Sequence, residues 1–323
     1  MRRVRKARRV AVLGLCLIAA FALAAVAASS ALAVKNPSKS FKLMENCPVS
    51  ALGGKGEPVT ICFFGATETG PKGTSPGGHF TVGPITVPIE KQIVLQFGGA
   101  HNPGERLNEY EAVGPTHGVE NLTPTPESVP GEPLGQISAA EQEELGWPET
   151  LKHSYKEAQK KGYVKKVTET IESAGPASVD VANIFFEEGV GIEARVKIKA
   201  GAQWLSNLGT VCYVGSEAEP IVQHLTTGPS ESPLTHEVIH GAAGEIVVAE
   251  HHDLEMDILY HNILVDNTYA VPGATCSGAY AGVIAATINK EFGLPAPAGA
   301  SGTEIIGTQY AAEDEAARLG GAE

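Results

Sequence analysis

"YVKKVTETIESAGPASVDVANIFFEEGVGIEARVKIKAG", residues 163–201, is the stretch that decides the fold class. It contains three runs rich in valine, isoleucine and threonine, and glycine or proline bounds each run. β-Branched side chains pack well on a pleated sheet, and glycine and proline favour the turns between strands. We therefore predict three consecutive strands, within 163–175, 177–189 and 191–201.

The same pattern extends in both directions from this stretch. Upstream lie "PVTICFF" (58–64) and two short runs within 79–99; downstream lie "TVCYVG" (210–215), "PIVQHLTTG" (220–228), "HEVIHG" (236–241), "EIVVAEHHDLEMDILYH" (245–261) and "ILVDNTYAVPG" (263–273). Many short strands separated by turn residues are typical of all-β architectures. The predicted fold is mainly β, an antiparallel β-sandwich or a partly open barrel.

One segment inside this β pattern is helical by its sequence. Residues 138–162 are rich in Glu, Lys, Gln and Ala, and Ser138 followed by Glu141 is a capping-box signature. Pro148 divides the segment into a short and a longer helix. The preceding residues 100–136 are rich in Pro, Gly and Glu without a periodic apolar pattern, and we predict an irregular excursion there.

The C-terminal region carries a second helical pattern. Residues 278–292 are predicted to form a helix that ends at Gly293, and residues 308–321 to form a last short helix or none. The chain is thereby divided into a signal peptide at 1–33, an N-terminal strand region at 34–99, an excursion with a helical insertion at 100–162, a main β-domain at 163–309 and a tail at 310–323.

The N-terminus has the features of an export signal. Residues 1–9 are strongly basic, residues 10–27 are almost wholly apolar, and "ALA" at 31–33 fits a cleavage site after Ala33. The alternative is an uncleaved membrane anchor, since the apolar run is near the length of a spanning helix. We expect a protein that is secreted or associated with the cell envelope.

The charge balance restricts the possible partners. The formal net charge is −13. Cleavage would remove six of the 24 basic residues and none of the 37 acidic ones, leaving −19. Such a surface repels nucleic acid and anionic lipid headgroups. We therefore expect no nucleic-acid partner; the charge identifies no other partner, and the export signal makes a cell-envelope component one candidate.

Four cysteines remain after the predicted cleavage: Cys47, Cys62, Cys212 and Cys276. An even number of cysteines in an exported chain indicates disulfides, and four allow three pairings. We favour Cys47–Cys62 and Cys212–Cys276, because the members of each pair are nearest in sequence and share a segment. Free buried thiols are the alternative.

His236-Glu237-Val238-Ile239-His240 matches the H-E-x-x-H motif of zinc peptidases. There both histidines project from one helical face to bind zinc, and the glutamate is the general base. This segment is a poor helix, with Pro233 before it, β-branched residues inside it and glycines after it. In a strand, Glu237 would point away from both histidines. The prediction is a strand, with zinc as the alternative cofactor.

A second group of possible metal ligands follows in "EHHDLEMDILYH". If this segment is one strand, then His251, Asp253, Glu255 and Asp257 lie on one face, where they could bind a metal with His236 or His240. The favoured interpretation is a solvated face of the sheet, opposite a core face.

Several stretches resemble a group of uncharacterised secreted proteins of soil actinobacteria. They are "TIESAGPASVDVANIFFEEGVGIEARVKIKA", "LGTVCYVGSEAEPIVQHLTTG", "NILVDNTYAVPGATC" and "EFGLPAPAGASGTEIIGTQ". The resemblance supports a Cys212–Cys276 disulfide and implies that the region around His236 is a variable connection. It implies no activity and no catalytic residue.

The predicted function is that of an exported, disulfide-bonded β-protein without an active site, acting as an envelope-associated or extracellular binding module. The first alternative is a zinc-dependent hydrolase that uses His236 and His240 as ligands and Glu237 as base. The second is a surface metal binder that uses the His/acid face of residues 251–257.

Overall fold

The computed structural model describes residues 41–321, apart from residues 46, 54–55, 70–75, 102–108, 114–121, 252–253 and 320. The described residues belong to one compact unit. The predicted signal peptide lies outside them and stays a prediction. Within the described residues, no helix combines the length and apolar character that crossing a membrane requires.

Most of the described chain is β-structure. The strands are β1 (Val59–Thr67), β2 (Gly78–Val82), β3 (Ile85–Pro88), β4 (Val94–His101), β5 (Glu109–Val113), β6 (Glu127–Val129), β7 (Val167–Ser173), β8 (Ser178–Asp180), β9 (Ile192–Ala202), β10 (Val211–Val214), β11 (Ile221–Leu225), β12 (Pro229–Glu231), β13 (Val238–His240), β14 (Glu245–His251), β15 (Leu254–Asp266), β16 (Ala274–Ser277) and β17 (Thr303–Glu313).

These strands form one large antiparallel sheet and a small hairpin. The main order is β14-β15-β17-β1-β4-β5-β8-β9-β10-β16; β7 and β11 also pair with β9, β6 pairs with β7, and the β2–β3 hairpin joins β17. β12 and β13 form the separate hairpin. The sheet is not closed, but it curls until Thr226, just after β11, bridges Val265 of β15. The predicted mainly β, antiparallel fold is confirmed.

The helices lie between strands and at the C-terminus. They are α1 (Ala139–Glu144), α2 (Glu149–Lys161), α3 (Val181–Phe186), α4 (Gln203–Leu208), α5 (Ala281–Phe292) and α6 (Asp314–Leu319), with 3₁₀ turns at Lys42–Met44 and Pro133–Gly135. The predicted C-terminal helix is α5, and Gly293 ends it in the left-handed conformation that glycine adopts without strain.

The helical insertion at 138–162 is also confirmed as α1 and α2. Ser138 and Glu141 form the capping box, and Pro148 precedes α2. The insertion packs into the core of the sheet, because Trp147 stacks on Trp204 of α4 with ring centroids 5.7 Å apart. Tyr155 of α2 contacts both indoles edge-on.

Two predicted strands were partly wrong. In 177–189 only β8 is a strand, and α3 follows, because the Asp180 side chain accepts a hydrogen bond from the Asn183 backbone N–H at 3.1 Å and so caps a helix. In 245–261 the chain makes two antiparallel strands, with His251 paired to Leu254. β14 and β15 each bury a row of apolar residues. Because the chain reverses between the two strands, both rows face the core.

Three other regions contain more strand than predicted. The excursion at 100–136 includes β5 and β6, and 79–99 contains three strands instead of two short runs. The helix expected from residue 308 begins only at Asp314, since 308–313 belong to β17, which lies between β15 and β1. Acidic residues in the first turn of α6 then stabilise its N-terminus.

Two disulfides are present, with the pairing that the sequence favours. Cys47 bonds Cys62 of β1, and the Cα atoms are 5.9 Å apart. Cys212 of β10 bonds Cys276 of β16, which lies directly opposite in the ladder. Such bonds are typical of proteins that fold in an oxidising, extracytoplasmic environment.

Candidate functional site: an interior cavity

The H-E-x-x-H segment lies in the β12–β13 hairpin and the turn that joins its strands. His236 occupies this turn with a positive φ of 60°, and its Nδ1 lies 3.1 Å from Glu231 Oε1. The strand starts only at Val238, so the predicted strand over 236–241 was too long. His236, Glu237 and His240 are all exposed on an extended hairpin, which lacks the helical geometry that zinc hydrolysis by this motif requires.

The second group of candidate ligands is divided between two strands. The β14 strand ends at His251, whereas Glu255 and Asp257 lie on β15, so the predicted single strand face does not form. Asp253 and the side chain of His251 lie outside the described residues. Burial raises the pKa of Asp257 to about 6, and the charges of Glu255 and Glu313 add to the effect. Among the described residues no three His, Cys, Asp or Glu side chains form a group that could hold a metal.

A cavity of about 100 Å³ lies inside the curled sheet. Its apolar lining includes Phe63 of β1, Leu95 of β4, Val196 of β9 and Leu264 of β15. Interior packing in proteins normally leaves few voids larger than a water molecule. The remaining lining residues are apolar or neutral and polar, and none of those described carries a formal charge.

One end of this cavity contains two buried amide side chains. Asn262 of β15 is fully buried and Gln309 of β17 is 3% exposed. Asn262 Oδ1 and Gln309 Oε1 accept no hydrogen bond from the described residues. A buried acceptor without a donor costs about 1–3 kcal/mol. This end therefore lacks one or more hydrogen-bond donors.

The sheet register explains why both amides are unpartnered. Gln309 lies opposite Gly65 of β1, and Asn262 lies opposite Gly307 of β17. Cross-strand neighbours on one face normally contact each other through their side chains. Gln309 also lies opposite Leu259 of β15, whose aliphatic side chain supplies no donor, and the space beside the two glycines is part of the cavity.

The other end of the cavity is polar but fully partnered. Thr303 Oγ1 accepts a hydrogen bond from Gln223 Nε2 and lies 2.9 Å from the Tyr269 hydroxyl. Burial raises the pKa of Tyr269, which keeps its hydroxyl protonated. The two ends thus differ in their unsatisfied hydrogen-bonding capacity.

A charged cluster lies next to the amide end. Glu68 contacts Thr308 Oγ1 and also accepts a hydrogen bond from the His261 backbone N–H. Its other oxygen lies 2.5 Å from His261 Nδ1. His261 has a φ of 55° and sits in the bulge where β15 shifts register against β17. Burial opposes ionisation of Glu68, but these hydrogen bonds prevail and lower its pKa, so its carboxylate is charged.

A second unpartnered polar pair lies in another part of the sheet. Glu127 of β6 and Glu169 of β7 are directly opposite each other and at most 5% exposed. Glu127 Oε1 accepts a hydrogen bond from the Lys91 backbone N–H, whereas Glu127 Oε2 and Glu169 Oε1 have no partner among the described residues. Burial first, and the charge of Glu127 second, raise the pKa of Glu169 to about 8.

Comparison with known proteins adds no assignment. No known family, curated protein or solved structure matches the chain. The resemblance to secreted actinobacterial proteins therefore stays a prediction. The candidate site is therefore identified from the structure of this chain alone.

Four buried polar residues were not predicted from the sequence: Glu127, Glu169, Asn262 and Gln309. The alternation of side chains along a strand nevertheless contains a signal for them. Glu169 is two residues from Val167 and from Ile171, so it lies on their face of β7. In the same way Gln309 shares the inward face of β17 with Ile305. The sequence alone did not show that these faces turn inward, because that requires the pairing of strands remote in the chain.

Proposed function

We propose that the protein is an exported binding protein that holds a small, mainly apolar molecule in the cavity of its curled sheet. The observation that carries the proposal is the cavity of about 100 Å³ with its apolar lining and two unpartnered acceptors. Ligand sites are typically concave and mostly apolar, with a few polar groups that fix orientation.

Energetics support occupancy of this space by a ligand. An unfilled cavity of this size costs about 2 kcal/mol of stability, at about 24 cal/mol for each cubic ångström. A ligand that fills the space recovers much of this cost through contacts with the lining. Several inward-facing aliphatic residues keep partial exposure, among them Ile93, Leu95, Ile171 and Ile305, as expected for side chains that face unfilled space.

The lining favours binding over catalysis. General acid–base and nucleophilic catalysis use His, Cys, Ser, Thr, Tyr, Lys or carboxylate side chains at the reacting atoms. Of these types the described cavity lining includes Tyr269, whose hydroxyl burial keeps protonated, and three threonines, but no His, Cys, Ser, Lys or carboxylate. An extracytoplasmic location is proposed from the two disulfides together with the predicted signal peptide.

Hexane tests the proposal, because it probes the cavity without any head group. We expect ¹³C-methyl NMR signals of Ile171 and Ile305 to shift on addition of hexane to the oxidised protein. Ala194→Leu places a larger side chain in the cavity and should abolish the shifts, and Ala194→Val should weaken them. Arg195→Leu introduces the same residue on the opposite, exposed face of β9 and should leave hexane binding unchanged. Absence of these shifts in the unaltered protein would contradict the proposal.

A further inference from the structure

We infer that the cavity selects a linear aliphatic molecule with a hydroxyl group at one end, and that Asn262 and Gln309 accept the hydrogen bonds of that hydroxyl. This inference rests on the proposed function and specifies its ligand. Its basis is the shape of the cavity, the difference between its two ends and the charge beside the amide end.

The shape of the cavity favours a linear molecule. Alternate residues of β17 line it, from Thr303 through Ile305 and Gly307 to Gln309. The six steps from Thr303 to Gln309 along a strand span about 20 Å. A volume of about 100 Å³ over such a length describes a narrow channel. An extended alkyl chain fits this shape better than a fused ring system does.

The difference between the two ends of the cavity determines the orientation of the bound ligand. At the Thr303 end, the polar groups already bond one another. At the opposite end, Asn262 Oδ1 and Gln309 Oε1 lack donors. Asn262 and Gln309 lie on adjacent strands, two positions apart in register, which is within reach of one head group. The polar group of the ligand therefore belongs at the amide end.

The orientation of Asn262 makes this end an acceptor site. Asn262 Nδ2 donates to the Leu259 carbonyl at 3.4 Å, which directs Oδ1 away from that carbonyl. A hydroxyl supplies one donor and can also accept, so it meets the requirement as a neutral group. A water molecule is the alternative donor, and a bound alcohol would displace it while keeping its hydrogen bond.

The charge beside the amide end excludes an acidic head group. A carboxylate placed there would face two carbonyl oxygens, with the ionised Glu68 behind Thr308. It would lose its hydration, and the N–H groups of the Gln309 amide alone would not replace it. An ammonium group supplies donors and is attracted by Glu68, but Glu68 already bonds Thr308 and His261, and the ammonium charge would have to leave water for two neutral oxygens. The neutral hydroxyl is the head group that the site fits best.

Four compounds test the inference: octanol, octanoate, octylamine and hexane, whose chain is two carbons shorter. Binding to the oxidised full-length protein is measured at pH 7 by calorimetry or by methyl NMR shifts. We expect octanol to bind at least tenfold more tightly than octanoate or octylamine, and about a hundredfold more tightly than hexane, since the two extra methylenes alone contribute about tenfold. Gln309→Leu and Asn262→Leu should each weaken octanol about tenfold and leave hexane binding equal or stronger.

A buried glutamine outside the cavity provides the matched control. Gln96 of β4 donates to the Leu43 carbonyl, and Gln96→Leu should leave the octanol-to-hexane affinity ratio unchanged. Equal affinity for octanol and hexane, or a preference for octanoate or octylamine, would overturn the inference while the cavity remained a binding site. If none of the four compounds bound, the proposed function itself would fail.

Discussion

In the described part of the sheet, two sites bury polar atoms that have no partner among the described residues, and the cross-strand neighbours of the two sites differ. At the cavity, the amides of Asn262 and Gln309 each lie opposite a glycine. At β6–β7, the carboxyl groups of Glu127 and Glu169 lie opposite each other. The first arrangement leaves space next to an uncharged acceptor. The second places two acids together beside a space of about 30 Å³, enough for one or two water molecules.

The difference indicates what each site can bind. Two carboxyl groups buried side by side cannot both ionise at low cost, so a proton is the species they retain. Two amides do not titrate, so a donor beyond the described residues must satisfy them. We therefore propose that one sheet combines a site whose occupancy depends on pH with a site whose occupancy depends on a ligand.

The largest expected effect concerns the carboxyl pair. Glu169 keeps its proton in the folded state because burial raises its pKa to about 8, whereas the unfolded chain releases that proton near the ordinary value of 4.5. The stabilising contribution is thus complete below the unfolded pKa and is lost as pH rises through the folded pKa. The free energy of unfolding should fall by about 4 kcal/mol between pH 5 and pH 8, at about 1.4 kcal/mol per unit. Urea unfolding across this range measures it.

Glu169→Gln isolates this effect because it replaces the acid with a neutral group of similar shape. The variant should lose most of the pH dependence and be more stable than the unaltered protein at pH 8. Glu188→Gln changes an exposed acid and should retain the full slope. An unchanged slope in Glu169→Gln would show that the pair does not hold a proton.

The next effect concerns the amide end of the cavity. Gln309→Leu removes a buried acceptor without a partner and should stabilise the ligand-free protein by about 1–2 kcal/mol. Gln96→Leu removes a buried amide that donates to the Leu43 carbonyl at 3.0 Å and should destabilise by a similar amount. Thermal and urea unfolding of both variants test the opposite signs. Destabilisation by both would mean that Gln309 is already satisfied.

A smaller effect is expected where the amide faces a glycine. Gly65→Ser places a hydroxyl opposite Gln309, and a Cβ atom there would be 3.3 Å from the Phe63 ring, which must shift slightly. The added donor should stabilise the ligand-free protein by about 0.5–1 kcal/mol and weaken octanol binding. Gly307→Ser is the contrasting variant, since its Cβ would lie 2.7 Å from the Ala66 carbonyl oxygen and should destabilise. Urea unfolding measures the stability of both variants, and calorimetry measures their binding of octanol.

The smallest effect is expected at the hairpin with the H-E-x-x-H motif. Glu237→Gln and His236→Ala alter exposed side chains outside both polar sites. Each should change stability by less than about 0.5 kcal/mol and leave hexane and octanol binding unchanged. A loss of ligand binding in either variant would mean that the cavity is not the only functional site.

Most strands and both longer helices could be predicted from the sequence because their signals are local. Alternation marks β9, and a capping box with Pro148 marks α1 and α2. The short helix α3 was missed because four of its six residues are β-branched or aromatic, and its capping by Asp180 outweighs their strand propensity. The reversal between β14 and β15 was missed because only tertiary packing requires it.

The candidate site could not be predicted for a different reason. The unpartnered state of Gln309 depends on its facing Gly65, which is 244 positions away in the chain. No local pattern shows such a register. Conversely, the H-E-x-x-H match was a local pattern without the helix that its chemistry requires. In this chain the informative feature is which residue lies opposite each buried polar group.

The decisive experiment is a crystal structure of the oxidised protein with octanol. We expect an extended octanol molecule inside the sheet, with its oxygen within hydrogen-bond distance of Asn262 Oδ1 and Gln309 Oε1. A cavity that stays empty at saturating octanol would rule out the proposed ligand. So would an octanol molecule whose hydroxyl lies at the Thr303 end.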